Sequence, residues 1–187
     1  MAENKVQFGL KNVHYAVISY SNAGVISYGT PKAIPGAVTL TLDAQGDVTP
    51  FYADNITYYQ SISNNGYSGD LEMARFPDEM LADIWGLTLG STSKVLTENA
   101  NVEPKEFALL YQIDGDADEQ FYVLYRCTGT RPGVGSSTNT NTKEPKTQTS
   151  TISALPVAAG NVMARTTKDT PAATKTGWFS SVFVENP

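Results

Sequence analysis

Apolar and polar positions alternate along much of this chain with a period of two, interrupted by short clusters of Gly, Asn, Asp and Ser. Val13-His14-Tyr15-Ala16-Val17-Ile18-Ser19-Tyr20 reads as a first strand, ended by Ser21-Asn22-Ala23-Gly24. Beyond Pro35-Gly36, Val38, Leu40 and Leu42 alternate with Thr39, Thr41 and Asp43, as in a strand with one buried face. Ala44-Gln45-Gly46-Asp47 then leads to Val48 through Ala53, and Asp54-Asn55 turns the chain into Ile56 through Ile62. A long hairpin arm projecting beyond the core is expected here. Asn64-Asn65-Gly66 turns again into Tyr67 through Phe76, where Leu71 and Met73 face opposite to Asp70 and Glu72.

Two strongly apolar segments, Phe107 to Ile113 and Phe121 to Cys127, flank Asp114-Gly115 and predict a core hairpin. From Gly135 to Thr142 no residue suits a core, and the composition is that of a mobile loop. Lys146 to Leu155 has strand propensity but two mostly polar faces, so its register is weakly specified and its open edge is expected to pair with another chain. Gly177 to Val184 reads as a closing strand, and Lys94 to Thr97 as a short one. The one helix expected is Pro77 to Gly86: proline suits the first turn, Asp78 and Glu79 meet the positive end of the dipole, and glycine stops it. Its apolar stripe is Met80, Leu81, Ile84 and Trp85. So short a helix is unstable alone, and the stripe must pack on the sheet. The expected fold is mainly β: a β-sandwich or barrel with one short flanking α-helix and a long projecting hairpin.

At 187 residues with 41% hydrophobic composition, the chain fits a single domain over residues 1–187. Its net charge of −6 argues against a protein that coats nucleic acid, because affinity for phosphate comes from clustered Lys and Arg. Charge is uneven: residues 76–129 hold ten acids against three bases, whereas residues 130–187 hold six bases against three acids. Such complementary halves suit contacts between neighbouring copies, although scattered charge also serves solubility. No run approaches the roughly 20 apolar residues of a membrane span, and the first residues lack the apolar segment of a signal peptide, so synthesis in the cytosol without membrane insertion is expected. The single cysteine, Cys127, excludes an internal disulfide and reads as a small buried hydrophobe.

Candidate chemistry is sparse. His14 is the only histidine, so any Ser-His-Asp or Cys-His site would have to use it; a structural role is expected instead. Asp114-Gly115-Asp116-Ala117-Asp118 opens like a calcium loop, but Glu119 stands where the sharp turn needs glycine and Tyr125 where a bidentate Glu belongs. Gly133-Val134-Gly135 lacks the third glycine and helix start of a dinucleotide loop. Asp78-Glu79 and Asp118-Glu119 are placed to cap a helix and decorate a turn. No catalytic residue, metal or cofactor is expected.

Several segments taken in order carry a family resemblance: Phe51-Tyr52-Ala53-Asp54-Asn55-Ile56, Asn64 through Glu72, the Pro77–Gly86 helix, Phe107 through Gln112 with Asp114-Gly115-Asp116, and Glu144 through Thr149. Their succession and spacing resemble the major tail tube proteins of long, non-contractile-tailed bacteriophages. The resemblance implies a β-sandwich flanked by a helix, six copies closing into a ring, and rings stacked into the virion tail tube that conducts the genome. It further implies assembly in the bacterial cytoplasm and partnership with tail terminator, tape-measure and distal tail proteins, with DNA passing through unbound. No appended immunoglobulin-like domain is expected. The arm and the Thr-rich strand then supply candidate contacts between subunits, Tyr52, Asp54, Tyr58, Thr147, Thr149 and Thr151, and Asp43, Asp47, Asp70 and Glu72 are candidate lumen acids. Rival expectations are a monomeric carbohydrate-binding or adhesive β-sandwich, a capsid-decoration or tail-completion protein, and, more remotely, a hydrolase using His14.

Overall fold

The computed structural model describes residues 4–138 and 144–185; positions 139–142 of the expected loop lie outside the described residues. The chain forms β1 (Gln7–Tyr20), β2 (Ile26–Tyr28), β3 (Lys32–Ala33), β4 (Ala37–Gln45), β5 (Val48–Ala53), β6 (Ile56–Ile62) and β7 (Gly66–Met73) before the helix α1 (Asp78–Trp85). There follow β8 (Thr88–Leu89), β9 (Leu96–Thr97), β10 (Phe107–Gly115), β11 (Gln120–Gly129), β12 (Gln148–Ala154), β13 (Met163–Arg165) and a short second helix, α2 (Ala172–Gly177). The architecture is mainly β, with one large antiparallel sheet in the order β2-β1-β10-β11-β12-β7-β4. β5 and β6 pair only with each other, as do β8 and β9.

The central strands β10 and β11 and the second half of β1 are buried on both faces. Phe107 through Gln112 are all buried in succession, which explains why this stretch reads as a continuous apolar run rather than an alternation. On one face Phe107, Leu109, Leu124 and Ile152 meet Phe76, Met80, Ile84 and Trp85 from the α1 region. On the other, Ala108, Leu110, Val123 and Tyr125 are covered by Trp178 with Phe179, Val182 and Phe183. Both covers are fastened by polar contacts. The Trp85 indole donates to the Gly129 carbonyl (2.9 Å), and Trp178 to that of Tyr122 (3.2 Å). Asp83 accepts from Tyr15 (2.9 Å) and Lys32 (2.6 Å), tying α1 to β1 and β3.

The expected helix is present and ends at Gly86, whose φ of 69° is the left-handed conformation that favours glycine. Within its stripe Met80, Ile84 and Trp85 are buried and Leu81 is half-buried. The expected hairpin of β10 and β11 is also present, with its tip displaced to Asp116–Glu119 because β10 continues through Gly115. Asn4 is folded onto that tip: its side-chain oxygen accepts from the amides of Ala117 (2.9 Å) and Asp118 (2.7 Å).

Three expectations are corrected. The Thr-rich strand, expected over Lys146 to Leu155 with an open edge, lies inside the sheet as Gln148–Ala154, paired to β7 along its whole length and to β11 near its end. Its small side chains conceal a buried face, Ser150, Ile152 and Ala154, where the Ser150 hydroxyl donates to the Thr130 carbonyl. The outermost strands of the sheet are β4 and β2. Val38, expected to share a buried face with Leu40 and Leu42, is exposed, because a register shift between Ala37 and Thr39 turns Ala37 inward in its place. Gly177 to Val184 is not a strand: Pro171 precedes the turn of α2, and the aromatic residues after it lie on the sheet face instead of extending it.

At the sheet's far side, Glu106 accepts from Arg126 Nε (3.0 Å) and Nη2 (2.8 Å), and from the Tyr20 hydroxyl. The Arg126 guanidinium holds the Glu106 carboxyl below the usual carboxylate range. A depressed folded-state pKa contributes stability that is present above the unfolded value near 4.3 and is lost as pH falls through the folded one. Glu106→Gln should therefore cost about 1 kcal/mol at neutral pH and flatten the acid limb of a stability-against-pH curve; an unchanged acid limb contradicts this. Trp85→Ala removes the largest side chain of the α1 stripe and orphans the Gly129 carbonyl, and should cost about 3 to 5 kcal/mol in denaturant unfolding.

Candidate functional site: the arm and the polar sheet face

β4 and β7 form one continuous ribbon with β5 and β6. Gln45 pairs with Gly66 at the sheet end, the Ser63 amide donates to the Asp47 carbonyl (3.0 Å), and Val48 pairs with Ile62 where the arm begins. Asp47 sits at this root: its amide donates to the Ser63 hydroxyl (2.9 Å) and its carboxylate accepts from Asn65 (3.4 Å). The tip is a two-residue turn in which Asp54 (φ 51°) and Asn55 (φ 60°) are both left-handed, the geometry that matches the twist of two antiparallel strands. Asp and Asn are the non-glycine residues best suited to it, which is why the sequence announces the arm so clearly.

Every residue of β5 and β6 except Ala53 is exposed. Val48, Phe51, Tyr52, Ile56, Tyr58, Tyr59 and Ile62 are between 53% and 75% exposed. The Val48–Ile62 and Phe51–Tyr59 pairs lie three residues apart along β5, so they occupy opposite faces of the ribbon. The arm is thus apolar on both sides and covered on neither. An isolated two-stranded hairpin is marginal in water, and exposed apolar surface of this kind is suited to contact with another molecule.

The ribbon's other half presents a different chemistry. On the outer face of β4, β7 and β12, register aligns Thr39 with Glu72 and Thr149, Thr41 with Asp70 and Thr151, and Asp43 with Ser68 and Ser153. Asp70 accepts from the Thr151 hydroxyl (2.8 Å) and Glu72 from that of Thr147 (2.5 Å). None of these aligned positions is Lys or Arg, so the face is a field of hydroxyls and carboxylates. Asp43, Asp70 and Glu72 share this face, while Asp47 lies apart at the arm root. Thr147, Thr149 and Thr151 belong to this polar face and not to an edge, so they are separated from Tyr52, Asp54 and Tyr58 on the arm.

Sequence reasoning named two of the arm's aromatics and missed Phe51, Ile56, Tyr59 and Ile62, although the doublets Phe51-Tyr52 and Tyr58-Tyr59 in a strand with no buried partner were the available signal. It also missed a cleft of about 380 Å³ at the seam where β1 approaches β4, floored by Leu40, Leu42, Tyr111 and Tyr122. Several titratable groups elsewhere are structurally engaged. His14 stacks on Phe179 (centroids 4.5 Å apart) and its Nδ1 lies 2.9 Å from the Asn12 carbonyl. Asp116 accepts from the Lys5 amide (2.8 Å), and Asp118 from Lys175 (2.8 Å). Cys127 is fully buried, and desolvation pushes its thiol far up. Comparison with models of known protein families and with characterised proteins returns no match to this chain.

Gly69 lies between β4 and β12, where an added Cβ would stand 1.8 Å from the Thr41 carbonyl oxygen. Gly69→Ala should force β4 away from β7 and cost about 2 kcal/mol or more, measured by thermal unfolding; Ser68→Ala, on the outer face, should change stability by less than about 0.5 kcal/mol.

Proposed function

We propose that the chain is a structural subunit that polymerises as stacked hexameric rings into a bacteriophage tail tube, the conduit for genome delivery. The carrying observation is the arm: seven large apolar side chains on both faces of a ribbon that nothing in the monomer covers. A free-standing chain gains nothing from such an arm, whereas a neighbour that buries it gains hydrophobic area and anchors of the aromatic kind that dominate interfaces. The open edge of β4 supports the same reading, since closing a ring removes exposed sheet edges.

The polar face supplies the conduit. Carboxylates at Asp43, Asp70 and Glu72, with hydroxyls and no cation between them, repel phosphate over the roughly 8 to 10 Å that physiological salt leaves unscreened, so DNA slides instead of sticking. Ring number, tube and tail partners come from the resemblance of the sequence to tail tube proteins. Terminator, tape-measure and distal tail proteins would cap, set and found the tube.

Purified protein should form rings or tubes in negative stain, with each specific contact burying more than about 1,000 Å². Phe51→Asp with Tyr59→Asp should abolish assembly while leaving the melting temperature of the monomer within about 2 °C, because both side chains are exposed in it. A strict monomer at every concentration would favour the adhesive-module alternative, and tubes formed by the doubly substituted protein would remove the arm from the mechanism.

A further inference from the structure

The arm leaves the sheet beside Gln45 and Gly66. β7 runs away from that point to Met73, and at its far end the chain of residues 76–106 is gathered: Phe76 N donates to Gln148 Oε1 (2.8 Å), Trp85 to the Gly129 carbonyl (2.9 Å), and Lys105 N to the Ile84 carbonyl (2.7 Å). Glu98, just past β9, pairs with Arg131 beyond the exit of β11. The small β8–β9 hairpin therefore stands at the end of the molecule opposite the arm.

The two hairpins are chemical complements. From Val48 to Ile62 the only charged residue is Asp54, at the tip; from Thr88 to Thr97 the only one is Lys94. Both are held at positive φ, 51° and 55°, and neither side chain has a partner among the described residues. Around Asp54 stand exposed Tyr52 and Ile56, and around Lys94 exposed Leu89 and Val95. Two paired residues per strand are too few to stabilise β8–β9 in isolation; Leu89 and Val95 are exposed, while Leu96 is half-buried.

We propose that the β8–β9 hairpin is the seat for the arm tip of the next copy along the axis, with Lys94 receiving Asp54 and Leu89 and Val95 packing on the Tyr52–Ile56 surface. This rests on the assembly reading above. A contact between opposite ends is heterologous, so it adds copy after copy with one polarity and cannot close on itself as a two-fold dimer. The charge pair selects register; the apolar residues supply adhesion.

The test compares the parent protein with Asp54→Lys, Lys94→Glu and the double exchange by sedimentation and negative stain. Each single reversal should raise the concentration threshold for tubes by roughly tenfold or more, and the double exchange should return it to within roughly threefold of the parent. Tubes at the parental threshold in both single variants, or no recovery in the double, would overturn the seat while leaving the assembly reading intact; a parent that never assembles would overturn both. A second measurement does not depend on reversal. Asp54→Cys and Lys94→Cys proteins, mixed and oxidised after assembly, should give a mixed disulfide that neither gives alone, since native Cys127 is fully buried and does not compete. Assembled protein without that disulfide would overturn the proposal.

Discussion

The double-sided burial of β10 and β11 is the constraint on which the rest of the structure depends. Strands with apolar side chains on both faces need two covers, and this chain supplies one from α1 and the other from the aromatic segment around Trp178. Both covers are short, and neither helix would persist outside the protein. They hold because the indoles of Trp85 and Trp178 each find a backbone carbonyl on the hairpin they cover, so the large side chains are buried without an orphaned donor.

Because the covers protect the centre of the sheet, its flank is free to do something else. β12, β7 and β4 keep only their inner face for the core, through Leu71, Met73, Ile152 and Ala154 with half-buried Leu40 and Leu42. Their outer face is left to hydroxyls and carboxylates, and the β4–β7 ribbon runs on past the sheet as the arm. Core, polar face and arm are thus three portions of one connected set of antiparallel strands.

The distribution of glycine and charge follows the same division. Gly69 allows β4 to approach β7 closely. The ion pairs Lys11–Asp114, Lys32–Asp83 and Arg126–Glu106 fasten β1, α1 and β10–β11. By contrast, the arm and the β8–β9 hairpin each hold a single charge with no partner among the described residues. Asp54 and Lys94 stand at opposite ends of the subunit.

Much of this fold is legible from local pattern alone. The alternation around Leu71 and Met73, the Asp54-Asn55 turn, the proline-started and glycine-stopped helix and the β10–β11 hairpin are set by interactions within a few residues, so the chain declares them without reference to the rest. Pairing between distant segments could not be read. Whether Gln148–Ala154 is an edge or an interior strand depends on Gly66–Met73, some eighty positions earlier, and its small Ser and Ala side chains disguise a buried face as a polar one. The same is true of Trp178 to Val184, whose composition suits a strand but whose place is set by the aromatic surface awaiting cover, and of Val38, turned outward by a one-residue shift in register. Local sequence determined which segments would be strands, turns and helix; only tertiary structure decided which edges stay open and which faces stay wet, because those depend on what else is brought alongside.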